Sequence, residues 1–282
     1  MPSPAPHAPR PLKVALLGGG MIARLVLEQA AAGKLPGIEI VALVGRRAAS
    51  KSADLARKFG VPYAIGGEAF AQSRPDAVLE AASHEAVREH LVALLGARIS
   101  VVVLSAGALA DEVLKRAAEA AAAASGARLL VPSGGIGGLD ALNAACVAGV
   151  EEVSIQVAKP PLAWKGIAYV ERLGIPLDRL EAPHVLFDGP AREGVPLFPQ
   201  NVNIAAVLSL AGIGMDRTRL RVVADPAIER NTHTIRVSGR SGRFTVVLEN
   251  VPTPENPKTS WLACCSAVDA LRALAAPARY GS

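Results

Sequence analysis

From Leu12 onward the chain alternates short apolar runs with stretches whose apolar positions recur at helical spacing. Leu12–Leu17 reads as a strand, followed by glycines and a helical stretch through Ala32. Glu39–Val44 is a second strand, and Ser50–Phe59 a helix with Ser50 placed to cap it. Asp76–Ala81, Ile99–Leu104 and Arg128–Val131 read as three more strands, separated by helices over His84–Leu95 and Asp111–Ala124. Strands that are apolar on both faces and alternate with helices form a parallel sheet covered on both sides. The expectation is therefore a doubly wound α/β layer over residues 12–132.

The texture changes after Pro132. Ser133-Gly134-Gly135-Ile136-Gly137-Gly138 is a flexible junction that opens a helix over Leu139–Ala148. Beyond it come Val153–Val157, Arg219–Val223, Thr232–Val237 and Arg243–Glu249, which alternate as half-buried strands do. Gly239-Arg240-Ser241-Gly242 supplies a hairpin turn between the last two. A helix is expected from about Asn201 to Leu210, and a final one over Thr259–Leu274 that packs back on the first layer. The expected organisation is a leader at 1–11, a first domain at 12–132, a second α/β domain of mixed sheet at 133–258, and a returning helical segment at 259–282.

Composition narrows the function classes. The chain has 282 residues, 51% hydrophobic and 20% charged, with a net charge of +5. Its basic residues are scattered rather than interleaved with aromatics, which argues against a nucleic-acid surface; a modest positive excess suits anionic small molecules. No apolar run is long enough to span a bilayer. Five prolines within the first eleven residues argue against a secretory signal there. Cys146, Cys264 and Cys265 have neither metal-ligand spacing nor an even count, so the expectation is a reducing cytoplasm and no metal.

Gly18-Gly19-Gly20-Met21-Ile22-Ala23 carries the first chemistry. It fits G-x-G-x-x-G/A between a strand and a helix, the context of a dinucleotide site on a Rossmann sheet. Gly18 permits the tight turn, Gly20 lets backbone approach a pyrophosphate, and Ala23 allows helix and strand to pack closely. Met21 and Ile22 would present helix-start amides to the phosphates. The second strand ends in Arg46 and Arg47 where an NAD-preferring site places a carboxylate, so pairing with the 2′-phosphate of NADP is expected, against two merely solvated arginines. The expected cofactor is NAD or NADP.

In the second half, Ser133–Leu139 (SGGIGGL), Lys159-Pro160-Pro161, Phe198–Asn203 (FPQNVN), Ala224-Asp225-Pro226, Asn231-Thr232-His233 and Glu249–Ser260 appear in that order. This series, with the glycine loop, resembles the L-aspartate dehydrogenase family. The resemblance runs from Leu12 to the last helix. It implies a dimer that converts L-aspartate to oxaloacetate and ammonia through iminoaspartate, reversibly. It also implies that His233 is catalytic and that Gly135 and Asn203 contact the cofactor near the nicotinamide. The family commonly has Ala where this chain has Gly135, so contact there is expected through backbone.

On the residues themselves, a histidine suits proton movements on an amine, a water and a carbinolamine. His233 lies in an inner strand, with Asp225 upstream as a candidate orienting carboxylate; a satisfied core histidine is the competing reading. Substrate carboxylates call for Lys159, Lys258 and the Thr259 hydroxyl, although Thr259 also reads as the last helix's cap. His84 reads as an exposed helix start with the cofactor's edge as its alternative, His90 and His184 as surface positions, and Cys264-Cys265 as buried thiols. Other two-domain reductases, of the dihydrodipicolinate reductase or homoserine dehydrogenase kind, share this architecture, as would a catalytically silent NAD(P)-binding regulator.

Overall fold

A computed structural model describes residues 10–199, 202–254 and 256–279, with the side chains of 256–258 outside that description. Most of the expected leader, residues 1–9, lies outside it too. Arg10, inside the expected leader, donates two hydrogen bonds of 2.7 and 2.8 Å to Asp76.

The first sheet has the strand order β3-β2-β1-β4-β5-β6, all parallel. Its strands are β1 (Leu12–Leu17), β2 (Ile38–Gly45), β3 (Tyr63–Ile65), β4 (Ala77–Glu80), β5 (Ser100–Val103) and β6 (Leu129–Leu130). The intervening helices are α1 (Met21–Ala31), α2 (Lys51–Phe59), α3 (Glu68–Ser73), α4 (His84–Gly96) and α5 (Glu112–Ser125). Alternate residues of β1 serve opposite layers. Val14 and Leu16 pack with Leu25, Val26 and Leu27 of α1, whereas Ala15 and Leu17 pack with Val87, Leu91 and Leu95 of α4. This double covering is why the strands read as unbroken apolar runs. Sequence reading counted five strands; β3 and α3 are additions, of three and six residues. Ser50 caps α2 as expected, accepting from the Ala53 amide at 3.3 Å.

The second half holds a five-stranded mixed sheet in the order β11-β10-β7-β9-β8. After α6 (Leu139–Ala148) come β7 (Val150–Lys159), α7 (Ala168–Arg172), β8 (His184–Pro190), α8 (Ala191–Gly194), α9 (Asn203–Ala211) and β9 (Thr218–Ala224). The hairpin β10 (Asn231–Gly239) and β11 (Gly242–Asn250) turns at Arg240 and Ser241, with Gly239 opposite Gly242. β7 and β9 are parallel and the other pairs antiparallel. Inner-face residues Val153, Ile155, Val157, Leu220, Val222, Ile235 and Val237 pack against Leu142 of α6 and Leu208 of α9. Phe198 anchors this core, with Trp164 and Tyr169 edge-on at 5.7 and 5.3 Å.

A short pair, β12 (Pro252–Thr253) and β13 (Asn256–Ser260), leads into α10 (Trp261–Ala275). Ser260, not Thr259, caps that helix, its Oγ accepting from the Ala263 amide at 3.2 Å. Cys264, Ala267 and Leu271 of α10 sit in the same cluster as Val14 and Leu16, so the chain's last helix packs on the first sheet. Cys264 is buried, but Cys265 is exposed, which corrects the expectation of two buried thiols. Among the described residues no helix is long and apolar enough to cross a membrane.

Candidate functional site

The turn between β1 and α1 is shaped by what its glycines lack. Gly18 sits at φ +97°, and a Cβ there would stand 2.8 Å from the Ala81 carbonyl oxygen. A Cβ on Gly19 would stand 2.6 Å from Ser52 Cα, so neither position admits a side chain without moving its neighbours. A Cβ on Gly20, in contrast, would meet nothing within 4 Å, because it would project into a cleft of about 570 Å³. α1 opens behind that space with no side-chain cap and no acidic residue in its first turn. Its amides at Met21, Ile22 and Ala23 are thus left to an anionic group. Ala23 is fully buried, as close packing of helix on strand requires. The cradle fits a dinucleotide's pyrophosphate.

The same cleft is bordered by Val44, Gly45 and Arg46 at the end of β2, and by Glu85, Glu89 and His90 of α4. Arg46 therefore faces the space beyond the glycines. Arg47 does not line it; its carbonyl accepts from the Tyr63 hydroxyl at 2.6 Å. His90 is no surface residue: its side chain is 14% exposed and packs edge-on against Phe70 at 5.7 Å. His184 is exposed, as expected.

Glu80 was missed in the sequence, although it is the one carboxylate closing an otherwise apolar strand. It is 2% exposed and accepts four hydrogen bonds, from the Ala82, Ser83 and Ser105 amides and the Ser105 hydroxyl, at 2.8 to 3.1 Å. Burial pushes its carboxyl above the ordinary carboxylate range, against the pull of those bonds. Its effect is to fasten two loops at the cleft's edge, those after β4 and β5.

A second cleft, bordered by Gly20, Met21, Ile22, Ser83, His84, Asn203 and Thr259, continues from the glycine loop toward the other half of the chain. Beyond it lies a cavity of about 130 Å³. Its polar lining follows from strand alternation. The inner face of the second sheet is apolar along most of its length, but at one end the same positions become polar: Lys159 on β7 and Asn231 and His233 on β10 border the cavity, and Asn250 on β11, outside its lining, follows the same alternation. Register aligns them: His233 lies opposite Val157 and Leu248, and Asn231 opposite Asn250. The Gly134-Gly135 turn crosses this end, and Asn203 and Ser260 complete the wall.

His233 is 5% exposed, and its Nδ1 lies 3.0 Å from the Gly135 carbonyl. Asn250 Nδ2 donates to the same carbonyl at 2.8 Å and lies 3.1 Å from His233 Nδ1. A lone pair on Nδ1 would oppose the Gly135 oxygen, so we assign the proton to Nδ1 and leave Nε2 as the acceptor. The expected orienting role of Asp225 is overturned. That carboxylate caps its own turn, accepting from the Ala227 amide at 2.9 Å, and Gly135 and Asn250 hold the ring instead. Burial, with a smaller push from the Lys159 charge, lowers the His233 pKa to about 4, the Gly135 bond opposing them. His233 is neutral at pH 7.

Lys159 is 3% exposed and sets its Nζ 5.1 Å from the centre of the Trp164 ring. A buried ammonium beside a cavity is suited to an anionic partner. Thr259 borders the same cavity, whereas the Lys258 side chain lies outside the described residues. Gly135 also lines it; a Cβ there would stand 3.1 Å from Ser260 Oγ, tight enough that the serine must give way. His84 is half-buried rather than exposed, and its Nε2 bonds Asn203 Oδ1 at 2.8 Å.

Comparison with known proteins agrees with this geometry. Residues 140–274 match the family model described as aspartate dehydrogenase, C-terminal, and residues 18–132 the NAD-binding domain of homoserine dehydrogenase. An L-aspartate dehydrogenase of Methanosarcina mazei is 41% identical over 273 residues, 96% of this chain and 100% of that protein. One from Methanosarcina acetivorans is 47% identical over 207 residues, 73% of this chain and 76% of its own length. The crystal structure of aspartate dehydrogenase from Thermotoga maritima shares the whole architecture at TM-score 0.75 and 28% identity, covering 96% of this chain and 99% of that one. The chain belongs to the L-aspartate dehydrogenase family.

Proposed function

We propose that the protein is an NAD(P)-dependent L-aspartate dehydrogenase, converting L-aspartate reversibly to oxaloacetate and ammonia through iminoaspartate. The observation that carries this reading is a buried histidine and a buried lysine sharing one small cavity at the end of the glycine-loop cleft. Gly18, Gly20, Met21, Ile22 and Ala23 hold the cofactor's pyrophosphate, and Gly135 and Asn203 its nicotinamide end. The bound cofactor supplies the acceptor for the hydride that leaves the aspartate α-carbon. Lys159 pairs with a substrate carboxylate, with Thr259 and Lys258 as further donors. His233 Nε2 accepts a proton from the water that attacks the carbon of the protonated imine and passes it to the nitrogen; it then takes the proton of the carbinolamine hydroxyl as the C–N bond breaks, so that the carbonyl forms and ammonia leaves. A dicarboxylate beside Lys159 cancels the charge that helps to hold the His233 pKa down, which makes the ring a better base once substrate is bound.

The test is reduction of NAD(P)⁺ by L-aspartate against glutamate, alanine and homoserine. Aspartate should be turned over far better than the rest; a better substrate among them, or cofactor binding with no turnover, ends the assignment. The Arg46 position supports a site open to NADP(H). Arg46→Asp should weaken NADP(H) by roughly tenfold, the worth of a charge-assisted hydrogen bond, and spare NAD(H). Equal loss of both cofactors would remove Arg46 from the 2′-phosphate. Arg47, outside the cleft, is the weaker candidate there.

The chain divides on this reading into a cofactor domain at 12–132, a substrate domain at 133–258 and a returning segment at 259–282. The resemblance supports a homodimer, which light scattering in solution would report, and three unpaired cysteines support a cytoplasmic site.

A further inference from the structure

The glycine loop and the His233 cavity belong to different halves of the chain, and polar contacts at Asn203 join the halves beside both. His84 is the first residue of α4 and Asn203 the first of α9. The Asn203 Oδ1 accepts twice: from His84 Nε2 at 2.8 Å and from the Gly107 amide at 3.1 Å. The backbone donor fixes which end of the Asn203 amide is oxygen, and an oxygen that only accepts requires the proton on His84 Nε2. With Oδ1 doubly engaged, the NH2 group is the half of the amide left for a ligand. Asn203 borders both the His233 cavity and the cleft shared with Gly20 and Ser83. The junction has no room to spare. A Cβ on Gly107 would stand 2.6 Å from the His84 ring and 2.8 Å from Asn203 Oδ1. His84 itself follows directly on the loop that buried Glu80 fastens through the Ala82 and Ser83 amides.

We propose that His84 is a positioning residue for the nicotinamide end of the cofactor. By holding Asn203 Oδ1 it aims the Asn203 NH2 at the seam between the two halves, where that group donates to an acceptor on the nicotinamide side chain. The terminal torsion of an asparagine is broad, so a single remaining donor from Gly107 leaves the amide free to turn. Loops touching the phosphates and the group touching the nicotinamide thereby share one frame. This proposal rests on the reading of the cleft as the NAD(P) site.

The experiment compares binding of reduced cofactor with binding of ADP-ribose, which lacks the nicotinamide, by titration calorimetry. His84→Ala should weaken reduced cofactor by roughly 3- to 10-fold, the net worth of one hydrogen bond, and change ADP-ribose affinity by less than about twofold. His84→Gln, whose amide N–H reaches as far, should bind reduced cofactor nearly as the unaltered protein does. Gly107→Ala, which pushes on the same contact from the opposite side, should reproduce the split seen for His84→Ala. Equal weakening of both ligands, no weakening of either, or a folded His84→Gln protein as impaired as His84→Ala overturns the proposal. None of these measurements needs an amino acid, so failure of aspartate turnover counts against the proposed activity and not against this role of His84.

Discussion

His233→Ala is expected to lower kcat for L-aspartate oxidation by about 10²- to 10⁴-fold, the usual contribution of a positioned acid–base group, with cofactor affinity nearly intact. The ring is held from behind: its Nδ1–H meets the Gly135 carbonyl at 3.0 Å, and Asn250 supports that carbonyl at 2.8 Å. Nε2 is then the only ring atom left to exchange protons in the cavity. His233→Asn keeps some hydrogen bonding but cannot cycle a proton near neutrality, so it should recover little activity. A histidine that merely fills the sheet predicts something else. Both variants would lose thermal stability through a cavity or an unpaired polar group, and kcat per folded molecule would stay near normal. Measuring kcat, cofactor affinity and melting temperature on the same samples separates the two, and the second pattern removes His233 from the chemistry.

Burial gives the same residue a signature in pH. Its pKa is about 4 in the folded chain against an ordinary 6.5. Between those values the unfolded chain binds a proton that the folded one refuses, so stability rises with pH across that window. The contribution is fully present above about pH 6.5 and lost as pH falls toward 4, amounting to about 3 kcal/mol. Melting temperatures taken from pH 7 to pH 4 should therefore fall more steeply for the unaltered protein than for His233→Asn. Parallel curves would show that the ring is not held neutral by its surroundings.

The elements legible in the sequence are those whose cause is local. Apolar strands such as Leu12–Leu17 and Ala77–Glu80 are buried on both faces and announce themselves as runs. Ser50 caps its helix three residues away, and Gly239 and Gly242 close their hairpin across two. What escaped was short or distant. β3 has three residues, too few to show a period, and β8 follows Pro183 and ends on Pro190 in a stretch with no clean alternation. The site was legible as a list and not as an arrangement. His233 could be singled out by the motif around it, but its partner Gly135 lies 98 residues away, and Asn250 reaches Gly135 across 115. Asp225 lies eight residues before His233 in sequence, but its carboxylate accepts from the Ala227 amide, and the ring of His233 meets the glycine turn instead. His84 meets Asn203 across 119 residues, and no local pattern at either position hints at the other.

Lys159→Met is expected to raise KM for L-aspartate by roughly 10- to 150-fold, the range for losing a hydrogen bond to a charged group. Methionine suits the test because it keeps an unbranched stem of similar length and packs well against an aromatic such as Trp164, so the ammonium is removed while the core stays filled. Cofactor affinity should change far less than KM, since Lys159 does not border the glycine-loop cleft where the pyrophosphate is held. Discrimination reports which carboxylate Lys159 holds: if it is the side-chain one, alanine loses nothing by the change and the preference for aspartate narrows, and if it is the α-carboxylate both substrates weaken together. A second effect follows from the Lys159 charge, which adds to burial in lowering the His233 pKa. Removing it raises that pKa, and the acidic limb of kcat/KM moves to higher pH. Lys258→Met is the comparison arm. If it costs aspartate binding more than Lys159→Met does, or if Lys159→Met leaves both KM and the acidic limb in place, the carboxylate is held elsewhere and the role of Lys159 is structural.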